Sequence, residues 1–181
     1  MPNWTKLEEN LKRGGFTVSH FTTGREAANY LNAQIDSVTV GFGGSVTLDQ
    51  IGLYDLLAAH NDVSWHWHRG ELKKSAQAEV YVSSVNGLAE TGEIVNIDGT
   101  GNRVASLCYG HSRVFLVVGV NKICPDYAAA LDHAEHVAAP LNAKRLNADP
   151  EDISHILTVL WKKPGGIGRM EVVLVDEKLG Y

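Results

Sequence analysis

The spacing of apolar positions changes repeatedly along the chain, and each change predicts an element. Leu7 and Leu11 lie four apart, Lys12 and Arg13 follow them, and Gly14-Gly15 supply a stop, so residues 3–13 read as a helix. "FTVSHF" (Phe16–Phe21) alternates as a strand does. Thr23 and Glu26 form a capping-box pattern ahead of "REAANYLNAQ", a second helix. "SVTVGF" (Ser37–Phe42) is β-branched and short, as a buried strand is. It runs into "GGSVTLDQIGLYDLLAAH", where Thr47 and Gln50 repeat the capping-box pattern and predict another helix. "VSWHWH" (Val63–His68) reads as a strand, "ELKKSAQ" as a short helix or turn, and "AEVYVSS" (Ala78–Ser84) as a strand. Helix and strand thus alternate up to Ser84. That rhythm predicts an α/β domain: an open, mixed, mostly parallel sheet with flanking helices.

After residue 90 the pattern shifts. "EIVNI", "DGTGN" and "RVASLCY" read as strand, turn and strand, a β-hairpin. "RVFLVVGV" (Arg113–Val120) is the most apolar run and predicts a central strand. "DYAAALDHAEHVAA" predicts a helix that starts at an Asp and is stopped by Pro140. The last 27 residues read as two strands joined by a Pro-Gly-Gly turn. With no internal repeat, low-complexity tract or linker, residues 1–181 read as a single domain.

Composition narrows the class. Of 181 residues 44% are apolar, enough for a sizeable core. The net charge of −5 comes with dispersed Lys and Arg, unlike a nucleic-acid footprint. No apolar run approaches bilayer length, and the N-terminus lacks a signal-peptide core, so a cytoplasmic protein without membrane association is expected. Cys108 and Cys124 are too few and too ill-spaced for a disulfide framework or a Cys-only zinc site.

Several stretches carry candidate chemistry. "GFGGSVT" (Gly41–Thr47) lies between strand and helix, where the open edge of an α/β sheet takes ligands. It is either an anion-binding loop, with backbone N–H groups and the hydroxyls of Ser45 and Thr47, or a tight turn with an N-cap. Asn121 and Lys122 follow the central strand, and Lys122 suits an anionic group as a point charge. Asn142, Lys144 and Arg145 follow Pro140. His66 and His68 fall on one face of their predicted strand, and His133 and His136 lie three apart on a predicted helix. Each pair is a half-site for a metal or simply a packed or solvated face. "IDGTGN" (Ile97–Asn102) has full turn chemistry, which accounts for Asp98, Gly99, Gly101 and Asn102. Glu90-Thr91-Gly92 is not accounted for in that way. A carboxylate beside glycine at a strand end suits a nucleophile or general base, with Asn96 and Arg103 lining the same cleft.

Taken together, "GFGGSVTLDQIGLYD", "ETGEIVNIDGTGNRVA", "VVGVNKI", "AAPLNAKRL" and "RMEVVLVDEKLGY" resemble the LUD (lactate-utilisation) domain family, from about Gly41 to the C-terminus. The resemblance implies the CoA-transferase/ribose-5-phosphate-isomerase-like fold, shared with glucosamine-6-phosphate deaminases. It also implies a bacterial cytoplasmic setting, linked to oxidation of L-lactate to pyruvate beside iron–sulfur partner proteins. Many short members carry a cysteine-rich segment after "NAKRL". Here "NADPEDISHILTVLW" follows, without cysteine, which argues against a redox role carried by this chain.

The expectation is therefore a LUD-domain protein that binds a small anionic metabolite. Gly43, Gly44, Ser45 and Thr47 would cradle the anion, and Lys122 with Arg103 or Arg145 would neutralise it. Thr91, Asn96, Asp98, Asn102 and Asn121 complete the candidate ligand-binding set. By analogy with the acyl-accepting glutamate of CoA transferases, Glu90 is the candidate catalytic group, facing the cleft of Gly43, Gly44 and Ser45. The alternatives are a non-catalytic subunit docking onto iron–sulfur partners, and an acyl- or phosphosugar-transforming enzyme. Cofactor, metal and oligomeric state stay open, a homo-oligomer included.

Overall fold

The computed structural model describes residues 2–181. Six strands form one parallel sheet: β1 (Thr17–Phe21), β2 (Thr39–Phe42), β3 (Asp62–Ser64), β4 (Val80–Ser83), β7 (Arg113–Gly119) and β10 (Arg169–Val175), in the order β1-β10-β7-β4-β2-β3. The remaining strands, β5 (Gly87–Ala89), β6 (Ile94–Asp98), β8 (Ile123–Cys124) and β9 (Ile156–Leu160), form a second, mixed sheet ordered β8-β5-β6-β9. The α/β expectation of a mostly parallel sheet covered by helices holds.

Side chains along the central strands alternate between two apolar layers. Val114, Leu116 and Val118 of β7 pack with Leu7 and Leu11 of α1 (Trp4–Arg13). Phe115 and Val117 pack with Leu48 of α3 (Val46–Gln50), Leu53 of α4 (Leu53–Ala58) and Leu31 of α2 (Gly24–Gln34). β10 divides likewise, with Val172 and Leu174 on one side and Val173 and Val175 on the other. Both faces are buried, which is why "RVFLVVGV" shows a continuous apolar run. The capping box of α2 forms as its spacing predicts: Thr23 Oγ1 accepts from Glu26 N, and Glu26 Oε2 accepts from Thr23 N.

Local structure departs from the expected elements at five places. First, one helix was expected after the glycine loop, capped by Thr47; there are two, and Ser45 caps the first, its Oγ accepting from Leu48 N at 3.3 Å. Gly52, at φ 64°, turns the chain into α4. Second, the paired strand within "VSWHWH" ends at Ser64, with Trp65 the last extended residue. Trp65 is buried against Phe42 with ring centroids 4.9 Å apart, and His66–His68 form a 3-10 turn, so the two histidines share no strand face. His68 instead stacks on Tyr54.

Third, the hairpin is displaced. β6 pairs antiparallel with β5, so its turn is Glu90–Glu93, with Gly92 at φ 107° and its N–H donating to Ala89 O. "DGTGN" leads instead into α6 (Asn102–Cys108), where a strand was expected. Fourth, Pro140 does not stop the helix. α7 (Tyr127–His133) widens into a π-turn at Ala134–Ala138, where Ala139 N–H donates to Ala134 O, and continues as α8 (Ala139–Leu146). The widened turn accommodates a residue that has no N–H to give. Fifth, β9 and β10 do not pair with each other but lie in different sheets.

Two short helices complete the chain, α5 (Leu72–Ala76) and α9 (Pro150–Ile153). α5 lies close on β2, so a Cβ on Gly41 would stand 2.1 Å from Ser75 O. Backbone cannot yield as a flexible side chain does. Gly41→Ala is expected to cost about 1–3 kcal/mol by overpacking. Thermal denaturation should register this as a Tm lower by roughly 2–10 °C; an unchanged Tm would contradict the close packing.

Candidate functional site

Three neighbouring strands of the main sheet, β2, β4 and β7, release polar residues at their carboxyl ends. β2 leads into Gly43, Gly44 and Ser45, β4 into Ser84, Val85 and Asn86, and β7 into the 3-10 turn Val120–Lys122. Between these loops, the small sheet and α8 lies a cavity of about 300 Å³. Ligands bind open α/β sheets in the crevice outside the carboxyl ends of the strands.

Lys122 lies in the inner wall and is 3% exposed. Its Nζ donates to Ser84 Oγ (2.9 Å), Thr47 Oγ1 (3.0 Å) and Val85 O (3.0 Å). Both hydroxyls commit their own protons elsewhere, Thr47 to Leu179 O and Ser84 to Val117 O. Three lone pairs therefore meet the three N–H bonds of an ammonium. None is a carboxylate, and among the described residues no acidic oxygen lies within ion-pair distance of Nζ. Burial, and then the Arg103 charge, push the amine down from its ordinary 10.5 to about 7.

The second sheet contributes an acidic loop that is internally paired. Asp98, at the end of β6, accepts from Gly99 N (3.0 Å) and Arg103 N (3.1 Å), and its carboxylate lies 3.6 Å from Arg103 Nε. Arg103 also donates to Ile97 O and to the side-chain oxygens of Asn86 and Asn96. Its charge is thus largely spent on holding "DGTGN" against β6. Opposite, α8 supplies Arg145. Its Nε donates to the Tyr181 hydroxyl (3.0 Å) and its Nη2 to Asn142 Oδ1 (2.8 Å), and its guanidinium lies 4.6 Å over the Trp67 ring. Among the described residues Nη1 has no protein hydrogen-bond partner, which leaves it for a ligand. His66, exposed at the rim, is pushed below its ordinary value by partial burial and then by Arg145, so it is neutral at pH 7.

Of the residues singled out in the sequence, Gly44, Ser45, Asp98, Asn102, Arg103, Lys122 and Arg145 line the cavity. Gly43, Thr47, Asn96 and Asn121 stand behind it as supports. Gly43 N–H continues the ladder to Val82 O, and Asn121 holds the closing segment by accepting from Leu179 N and donating to Gly180 O. Glu90 and Thr91 do not reach it. The Glu90 carboxylate accepts from Asn3 N (2.8 Å) and pairs with Lys6, and its carbonyl accepts from Asn10, so the turn is fastened to α1. The expectation that Glu90 faces the glycine-loop cleft is corrected: periodicity had placed the turn one segment too late, and Glu90 belongs to the turn itself. Thr91 hydrogen-bonds Glu93 in the same turn.

The histidine pairs do not converge either. His133 Nδ1 bonds Asn86 O, while His136 pairs with Asp132 in solvent. Among the described residues no three His, Cys, Asp or Glu side chains group as metal ligands would. Sequence reading passed over Ser84, Asn86, Trp67 and Tyr181, while Asn142, singled out with Lys144 and Arg145, does line the cavity. Ser84 and Asn86 directly follow a predicted strand, so the strand-end rule applied to "GFGGSVT" would have found them. Trp67 and Tyr181 carry no such signal.

Two outcomes follow from this geometry. In the unfolded chain the Lys122 amine holds its proton up to about pH 10.5, in the folded chain only up to about 7. Unfolding therefore takes up a proton between those values, and the penalty, on the order of 5 kcal/mol, is full below pH 7 and fades as pH rises. The Tm of the wild type relative to Lys122→Met should rise by upwards of about 5 °C from pH 7 to pH 10; a pH-independent difference would contradict the burial of a titrating amine. Glu90→Gln should lower stability by about 1 kcal/mol or less and leave ligand-induced melting shifts unchanged.

The LUD domain family model matches residues 4–180. Among solved structures, a DUF162 family protein from Deinococcus radiodurans superposes with a TM-score of 0.62 at 14% identity, over 96% of each chain. At that identity the likeness speaks for the fold alone. Comparison with curated proteins returns no match. Among the described residues no helix is long and apolar enough to cross a membrane. Since the family match leaves out only residues 1–3 and 181, this chain belongs to the LUD domain family.

Proposed function

We propose that this LUD-domain protein binds a small carboxylate- or phosphate-bearing metabolite in the cavity at the carboxyl edge of its parallel sheet. Family membership makes it a lactate-utilisation-related protein in general terms; the ligand assignment is our own. One observation carries it: a buried lysine lines the cavity with no carboxylate within ion-pair distance of its Nζ, the Asp98 and Asp152 of the same lining making no pair with it. A cation taken out of water without a counter-ion is costly, and an incoming anion repays that cost. Arg145 adds a second cation on the facing wall, with Nη1 free for a bidentate or single hydrogen bond to an acidic oxygen. Asp98 does not cancel this field, because Arg103 neutralises it locally.

A second reading, a docking subunit for iron–sulfur partner proteins, draws on exposed aromatic surface. Trp161 is 66% exposed and Tyr109 76%. Tyr109 bridges to Gly166, so it lies beside the same β9–β10 connection that carries Trp161. Neither side chain lies near the cavity wall, so the two readings call on different parts of the molecule.

A thermal-shift screen with L-lactate, pyruvate, CoA thioesters and sugar phosphates tests the first reading. A true ligand at about a hundredfold excess over its Kd should stabilise the fold by roughly 2.7 kcal/mol, a Tm rise of about 5–10 °C. Arg145→Gln should weaken that ligand about tenfold or more, the loss expected for a charged hydrogen bond of about 1.5–3 kcal/mol. If no anion in the screen raises Tm, the cavity reading fails and docking through Trp161 and Tyr109 becomes the better account.

A further inference from the structure

We propose that Lys122 forms an imine with the carbonyl carbon of a small 2-oxo acid held in the cavity. The inference rests on the anion-binding reading and names the substrate class. A lysine buried for structure alone ordinarily meets a carboxylate, which neutralises it for good. Lys122 meets two hydroxyls and one carbonyl oxygen, all neutral. Such a shell supports the ammonium through three hydrogen bonds and does not lock it there, and burial moves the balance toward the free amine near neutral pH. A desolvated lysine of this kind is the usual nucleophile toward carbonyl compounds.

The rest of the cavity suits the same substrate. Arg145, whose Nη1 has no protein partner among the described residues, lines the same cavity as Lys122, so a bound 2-oxo acid would turn its carboxylate to the guanidinium and its carbonyl carbon to the amine. Ser84 Oγ and Thr47 Oγ1, 2.9 and 3.0 Å from Nζ, are within reach of the protons that must move. The free amine turns its lone pair to the carbonyl carbon once a hydroxyl relinquishes its hydrogen bond. A C–N bond forms, the carbonyl π pair passes to oxygen, and a proton passes from nitrogen to that oxygen through the Ser84 hydroxyl, which lines the cavity and turns from Val117 O to deliver its own proton as it takes up the one from nitrogen. The resulting carbinolamine loses its hydroxyl with one further proton as water, leaving a C=N bond. The step is reversible, and no oxidant or reductant takes part.

The experiment uses the full chain with pyruvate as probe and sodium cyanoborohydride as the reductant that traps the imine. Intact-mass and peptide mass spectrometry read the outcome, and pyruvate thermal shift is measured in parallel. One reduced adduct per chain, on the peptide carrying Lys122, is expected. L-Lactate, which has the carboxylate but no carbonyl, should give none. The adduct should form through neutral pH, whereas surface lysines require values near 10. Lys122→Arg, which keeps the charge, should lose the adduct at this peptide. Localisation on the wild-type peptide stands even if that variant fails to fold. A pyruvate-dependent Tm rise without an adduct on Lys122 overturns the imine and leaves the binding reading intact. Labelling no greater at Lys122 than at surface lysines, with no Tm rise, overturns both for this substrate class.

Discussion

A parallel sheet covered on both faces has nowhere to put polar chemistry except its ends. β4, β7 and β10 are mainly apolar toward α2 and α4 on one side and toward α1 on the other, the buried Glu171 of β10, which accepts from Tyr30 of α2, standing apart. The polar groups that line the main cavity emerge at the carboxyl edge, where β2, β4 and β7 lie side by side. The constraint also explains the supports. Thr47, Gly43 and Asn121 spend their hydrogen bonds on fixing the loops that leave the sheet, and in doing so hold Gly44, Ser84 and Lys122 around one hollow. Lys122 both lines the cavity and serves the structure, since its three bonds tie α3 to the exit of β4.

Much of this was legible in the sequence, for reasons of period. "RVFLVVGV" could be read as a central strand because a sheet buried on both sides needs no alternation, and the rhythm of helix and strand up to Ser84 announced the parallel sheet. Lys122 and the glycine loop were legible because both follow a strand. What could not be read was anything decided by tertiary packing. Trp65 is drawn into the core against Phe42 and takes "HWH" out of its strand. The small sheet joins the β5–β6 hairpin to two segments distant in sequence, and its strands of two to five residues are too brief to set a period.

The stretch around Glu90 shows how local chemistry misleads. "DGTGN" has richer turn composition than "ETGE", so the reversal was assigned to the former. Both are turns, but only the second joins antiparallel strands; the first leads from Asp98, at the end of β6, into a helix whose Arg103 pairs with it at the cavity. The more conspicuous carboxylate is the structural one, fastened to α1, and the residue that turn chemistry had explained away lines the site.

The π-turn at Ala134–Ala138 bears on the cavity although it lies outside it. A widened turn carries one residue more than an α-helical path, and each residue advances a helix by about 100°. Everything after it is thereby rotated by that angle about the helix axis. Asn142 and Arg145 face Tyr181 and the cavity because of that added residue. The guanidinium is thus placed by its angular phase on α8 as well as by its contacts with Tyr181, Asn142 and Trp67, and the length of Ala134–Ala138 is as much a part of the cavity wall as the arginine.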